Sequence, residues 1–212
     1  MWRSKKLLVV AIAGTAFALL LGVGSASAST LLCKTNTAPC GAPYVVGTEF
    51  KSQLKAGTEA VLTAGFATVK CGESTRSGKV ANSEGDAVKI AIETLTFAKC
   101  NCAVTVLKNG SLEIEHIAGA EAKGTATGKG TELTINCSGL SCKFGTAATG
   151  TDLGTFTGGE VSGEHAVLDE SLNLPYIAGD ASNFSCTLGS GTGAWKADYT
   201  VTAPKPVYVE PA

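Results

Sequence analysis

Cys100 and Cys102 stand one residue apart in "KCNCAV", at the head of an alternating apolar run that reaches Ile117. Two thiols so spaced could clip a metal, cycle between dithiol and disulfide, or be halves of two different disulfides. Structural zinc favours C-x2-C pairs with histidine or further cysteine partners, and a thioredoxin-like redox pair needs C-x-x-C in a βαβ setting. The sequence offers neither. A bond between the two is disfavoured, because along a strand their Cα atoms sit near the ~7 Å limit of disulfide geometry. Residues i and i+2 of a strand share a face, so both sulfurs are expected to point toward neighbouring strands. All eight cysteines (Cys33, Cys40, Cys71, Cys100, Cys102, Cys137, Cys142 and Cys186) are then read as a disulfide framework. Cys33-x6-Cys40 and Cys137-x4-Cys142 enclose the turn formers "KTNTAP" and "SGLS", and local pairs are expected there. Cys100 and Cys102 are left to bond separately with Cys71 and Cys186, in either order.

The other chemistry-bearing stretch is "GGEVSGEHAVLDE", where His165 keeps company with Glu160, Glu164, Asp169 and Glu170. In a strand, His165 and Asp169 face one side while Glu164 and Glu170 face the other. An imidazole among carboxylates could move protons for a hydrolase or seat a cation, so His165, Glu164 and Asp169 are the candidate catalytic residues. The plainer reading is a polar edge strand kept soluble by its charge. His116 shares strand parity with Leu112 and Ile114 and is expected to close an apolar face. No G-x-S-x-G nucleophile elbow occurs, and eight paired cysteines leave no thiol for catalysis. "GSGTGA" fits the dinucleotide fingerprint in letters only. That motif must open a helix, and here Trp195 begins an alternating run. Calcium loops need clustered oxygen ligands, whereas "TGTDLGTFTGGE" supplies only Asp152 and Glu160 with threonines. Trp195 alternates with Ala197 and Tyr199, a core pattern rather than a glycan platform. No cofactor and no metal site is expected.

What positions these residues is a β architecture. "EAVLTA", "FATVKC", "AVKIAIETLTF", "TELTINC", "GTFTGGEVSG", "WKADYTVT" and "PVYVE" alternate apolar and polar residues between Gly-, Ser-, Thr- and Asn-rich breaks. "DAVKIAIETLTFAK" has enough length for a helix, but its β-branched residues and period of two favour strand. "AVTVLK" and "SLEIEHI" flank Asn109-Gly110, the preferred pair of a two-residue type I′ hairpin turn. Short strands separated by turns predict a mainly β fold, an antiparallel sandwich or barrel stabilised by disulfides.

The compartment follows from the first residues. Arg3, Lys5 and Lys6 precede the apolar stretch "LLVVAIAGTAFALLLGVG" and an A-x-A site ending at Ala28, the plan of a cleaved secretory signal peptide. Residues 1–28 are thus read as the signal and residues 29–212 as a single β domain. Removing the signal leaves 14 Lys and Arg against 18 Asp and Glu, a formal charge of −4. That balance gives no footprint for nucleic acid or anionic membrane.

"LLCKTNTAPC", "AVLTAGFATVKCGESTRSGK", "KCNCAVTVLKNGSLEI", "NCSGLSCKF" with "GTDLGTFTGG", and "YTVTAPKPVYVE" resemble an uncharacterised family of secreted, cysteine-bearing β-rich proteins recurring in soil actinobacteria. The resemblance spans nearly all of residues 29–212. It implies export and a cysteine-bearing β architecture, and it carries no catalytic residues across. The functional expectation is a secreted, non-enzymatic protein of the extracellular space or cell envelope. It would be a rigid β scaffold presenting loops to an extracellular protein or glycan. The alternative is a secreted hydrolase using His165 with the nearby carboxylates.

Overall fold

The structure is a computed structural model that describes residues 29–64, 67–159, 167–175, 186 and 192–212, with the backbone alone for 167–175 and 192. Its described residues form antiparallel strands and no α-helix. The strands are β1 (Thr30–Cys33), β2 (Glu49–Leu54), β3 (Ala60–Ala64), β4 (Ala67–Val80), β5 (Val88–Cys100), β6 (Ala103–Lys108) and β7 (Ser111–His116). They continue with β8 (Lys123–Lys129), β9 (Glu132–Cys137), β10 (Leu140–Gly145), β11 (Thr151–Thr157), β12 (Val167–Pro175), β13 (Thr192–Ala203) and β14 (Tyr208–Pro211).

The main sheet runs β12-β11-β8-β7-β5-β4-β2-β13, and β12 pairs back onto β13, so the sheet closes into a barrel. β3 shares the lane of β2: β13 and β4 pair with β2 along one part of their length and with β3 along another. Closure removes the outer edges of this sheet, which would otherwise template aggregation, except along the part of β5 beyond Ala91. Two excursions leave the barrel. β6 departs between β5 and β7, and the β9–β10 hairpin departs between β8 and β11; together they make a three-stranded sheet, β10-β9-β6. A β1–β14 ribbon ties the two ends of the described chain together.

Alternation sorts the side chains as the expected period of two requires. On β2, Phe50, Ser52 and Leu54 are buried while Glu49, Lys51 and Gln53 are exposed. Phe50, Leu62, Ile90, Leu112, Ile114, Phe144, Phe156 and Tyr199 are fully buried, and each large apolar side chain so placed stabilises by about 1.5–3 kcal/mol. Trp195 and Tyr199 belong to this core, as their spacing predicts.

The disulfides pair Cys33–Cys40, Cys71–Cys100, Cys102–Cys137 and Cys142–Cys186, and the described residues hold no free cysteine. The local Cys33–Cys40 bond agrees with expectation, and Cys71–Cys100 is one of the two orders left open for that cysteine. The expected Cys137–Cys142 bond does not form, nor does Cys186 bond to Cys100 or Cys102. Register is the cause. β9 and β10 meet with Cys137 opposite Leu140 and Cys142 opposite Ile135, so the two cysteines are diagonal neighbours about 7–8 Å apart, beyond disulfide reach. The expected shared face of Cys100 and Cys102 also fails, because no strand contains both. β5 ends at Cys100 and β6 starts at Ala103. Cys100 lies directly across from Cys71 in the barrel, while Cys102 bonds into the small sheet. Cys-x-Cys is therefore a corner, with one cysteine stapled into each sheet. Between them, Asn101 accepts from the Lys70 N–H (2.8 Å) and donates its side-chain amide to the Thr68 carbonyl (3.0 Å).

Asn109-Gly110 is not a hairpin turn. β6 pairs with β9, whereas β7 pairs with β5 and β8, so the dipeptide carries the chain from one sheet to the other. Gly110 has a positive φ of 68° and Asn109 does not, which excludes the type I′ form. The two-residue turn with positive φ at both positions lies instead at Ser138 (49°) and Gly139 (82°), between β9 and β10.

Candidate functional site

The barrel wall is incomplete at one place. β7 pairs only with residues 88–91 of β5, so beyond Ala91 that strand keeps β4 alone as a ladder partner among the described residues. β6 runs back beside this stretch, and the two are tied again where the Asn109 side-chain amide donates to the Glu93 carbonyl (2.6 Å) and the Ile92 N–H donates to the Gly110 carbonyl (3.2 Å). Between these ties the wall opens into a cavity of about 60 Å³ walled by Ile92, Leu95, Phe97, Leu133, Leu153 and Trp195. The lining is mainly apolar, and at the mouth Ile92, Leu95 and Phe97 are half-exposed. Phe97 meets Trp195 edge-to-face, with ring centroids 5.7 Å apart.

Polar groups lie beneath this mouth. Ser52 on β2 is in register with Arg76 on β4, which is in register with Leu95 on β5. Arg76 is 8 % exposed; it reaches the cavity wall and holds its guanidinium 3.7 Å from the centre of the Tyr199 ring. The Tyr199 hydroxyl and Ser74 Oγ are hydrogen-bonded at 2.7 Å. Ser52 is 2 % exposed, and its Oγ has no hydrogen-bond partner among the described residues. Sequence reasoning missed this group. Val69 and Cys71 are buried, then the alternation slips by one residue at Gly72-Glu73, so that Ser74 and Arg76 turn inward. Parity counted from Val69 puts Arg76 outside; only counting back from Val80 would have found it.

The sequence-derived candidates are placed less informatively. His165 and Glu164, with Glu160, lie outside the described residues. Asp169 is in β12, its backbone opposite Thr155 on β11 and Asp198 on β13. With a partner on each side β12 is not an edge strand, which corrects the plainer reading for residues 167–170, the part of that stretch it contains. Among the described residues no three of His, Cys, Asp and Glu gather closely enough to share a metal ion.

His116 does share the inner face of Leu112 and Ile114 and is half-buried. Its Nε2 lies 3.2 Å from the Ala120 carbonyl, and its backbone N–H donates to Thr30 Oγ1 (2.9 Å). Nearby, Glu210 on the ribbon is 3 % exposed, and its Oε1 lacks a hydrogen-bond partner among the described residues. Burial pushes the Glu210 carboxyl above its ordinary 4.5; His116 pulls it down and Glu121 pushes it further up. A carboxyl so raised folds more readily when protonated, so its contribution is fully present below the ordinary value and is lost as pH climbs through the raised one. Glu210→Gln is therefore expected to equal the parent in acid and to exceed it toward neutrality, on the order of 1 kcal/mol. Urea melts at a series of pH values check this, and parallel stability curves would refute it.

Comparison with protein-family models, with curated proteins and with solved structures finds no match to this chain.

Proposed function

We propose that the protein is a secreted, non-enzymatic protein of the extracellular space or cell envelope, whose barrel is a rigid scaffold presenting a binding surface to an extracellular partner. What carries this reading is the covalent path Cys71–Cys100, Asn101, Cys102–Cys137, which staples the barrel to the small sheet beside the opening in its wall. Four disulfides suit an oxidising, extracellular-type environment. The two at the Cys100 and Cys102 corner hold the wall and its mouth in fixed relation, which serves recognition more directly than turnover. The Gly-, Ser- and Thr-rich connections are then free to vary on a frame that does not.

Two measurements test the reading together. Expression of the full chain in an exporting host is expected to yield protein in the medium that begins at Ser29, read by N-terminal sequencing. The recovered protein is expected to turn over no glycan, ester or peptide in a broad panel, with His165→Ala indistinguishable from the parent. Turnover abolished by His165→Ala would establish the hydrolase alternative, and retention of residues 1–28 inside the cell would remove the secreted one.

A further inference from the structure

We propose that the opening between β5 and the small sheet binds a free, unbranched aliphatic chain, its end inside the cavity and its head left in solvent. Such a site selects the chain and not the head. The inference rests on the reading of this molecule as a binding protein and adds the class of ligand.

The lining decides against recognition of charge. Ile92, Leu95, Phe97, Leu133, Leu153 and Trp195 present methyl groups, methylenes and rings. Five of the six polar side chains on the wall are engaged with the protein, and the sixth, Ser111, is a neutral hydroxyl. The Arg76 guanidinium lies against the Tyr199 ring, whose hydroxyl is bonded to Ser74. The Asn109 amide donates to the Glu93 carbonyl, Thr131 Oγ1 donates to the Asn109 carbonyl, and Thr146 Oγ1 accepts from the Thr131 N–H. The charges on β5 beside the mouth are also paired, Glu93 with Lys79 and Lys99 with Glu73. A charged head gains nothing by leaving water for such a wall, whereas an apolar body does.

Size and shape narrow the choice. An apolar cavity of about 150 Å³ accepts benzene. In proportion, the cavity of about 60 Å³ here takes about two or three carbons and no ring. The remaining carbons must lie along the mouth, where half-exposed Ile92, Leu95 and Phe97 follow one another on a single strand. Five residues of strand span roughly 16 Å, a narrow strip that suits a linear chain better than a branched or globular body. An apolar void leaves its lining short of dispersion partners, and methylenes supply them. The mouths of β-barrels are a recurrent location for such sites.

The test uses the exported protein, in which loss of residues 1–28 leaves Trp195, on the cavity wall, as the only tryptophan. Butanol, hexanol and octanol are titrated while Trp195 emission is followed, beside octanoate, octylamine and adamantanol. The linear alcohols are expected to give a saturable change that tightens about two- to fourfold with each added methylene. Octanoate and octylamine are expected to fall within about fivefold of octanol, the most that an exposed charge contributes. Adamantanol, too wide for the cavity, is expected to give no saturable response. Leu95→Ser, at the half-exposed rim, interrupts the strip; it is expected to melt close to the parent while weakening octanol severalfold. No saturable response to octanol, equal affinity for adamantanol, octanoate or octylamine outside that fivefold range, or unchanged octanol affinity in Leu95→Ser would each overturn the proposal. None of these outcomes bears on export or on absence of turnover, so the broader functional reading is judged separately.

Discussion

Replacing Cys102 and Cys137 together by serine is expected to lower the unfolding free energy by about 4 kcal/mol. The bond closes a loop of sequence separation 35, and the chain-entropy estimate for a loop of that length is about 4 kcal/mol. The location adds to the loop term. β6 has β9 as its ladder partner in the small sheet, and the bridge anchors that pair beside Cys100 at the corner. There it adds to the ties at Asn109 and Gly110 and to the packing of Ile135 and Phe144 in the shared core. Urea denaturation of the double variant measures the loss, and peptide mapping of the parent checks the pairing first. A fragment joining Cys137 to Cys142 would show that the register of β9 against β10 is wrong. A double variant within 1 kcal/mol of the parent, by the typical range for native bridges of 2–5 kcal/mol, would show that the bridge does not hold the two sheets together.

Gly110→Ala is expected to cost about 3 kcal/mol, unusual for a residue in a connection. The backbone at Gly110 has φ of 68°, a region that costs an L-residue about 1–2 kcal/mol. A Cβ built there would press on the Lys129 carbonyl and lie 2.6 Å from the Thr131 N–H. Both of those groups are backbone at the β8–β9 junction and cannot swing aside. The same crossing is pinned by Thr131, whose hydroxyl donates to the Asn109 carbonyl (3.0 Å). Gly139→Ala is the control: it also has positive φ, but a Cβ there meets nothing within 4 Å, so only the conformational part is expected. Equal losses at the two positions would show that close approach is not what demands glycine at 110.

These two sites mark how far reading along the chain could go. The strands themselves were legible. "AVKIAIETLTF" became β5 and "TELTINC" became β9, because alternation over six or more residues reports burial on one face, and β-branched residues argued against helix. The core role of Trp195 and Tyr199 was legible for the same reason, as was the place of His116 on the face of Leu112 and Ile114. Cys33 and Cys40 bond across their short loop as their spacing suggested.

Which strand meets which was not legible. Asn109-Gly110 has the composition of a hairpin turn, and nothing local distinguishes a turn between paired strands from a crossing between two sheets. Hydrogen bonds made by Glu93, Ile92 and Thr131, remote in sequence, decide it. The cysteines follow the same logic. Types and count establish a disulfide framework, but partners depend on register, and a two-residue diagonal offset was enough to separate Cys137 from Cys142. The inward turn of Ser74 and Arg76 was hidden by a slip of one residue at Gly72-Glu73, since period two carries no memory past a slip. By itself, then, the sequence determined the β character, the disulfide-rich class and most of the core, because these depend on contacts between each residue and an averaged interior. Closure of the barrel, the split of Cys100 and Cys102 between two sheets, and the cation beneath the apolar mouth were decided only by the tertiary structure, because each depends on which distant backbone lies alongside.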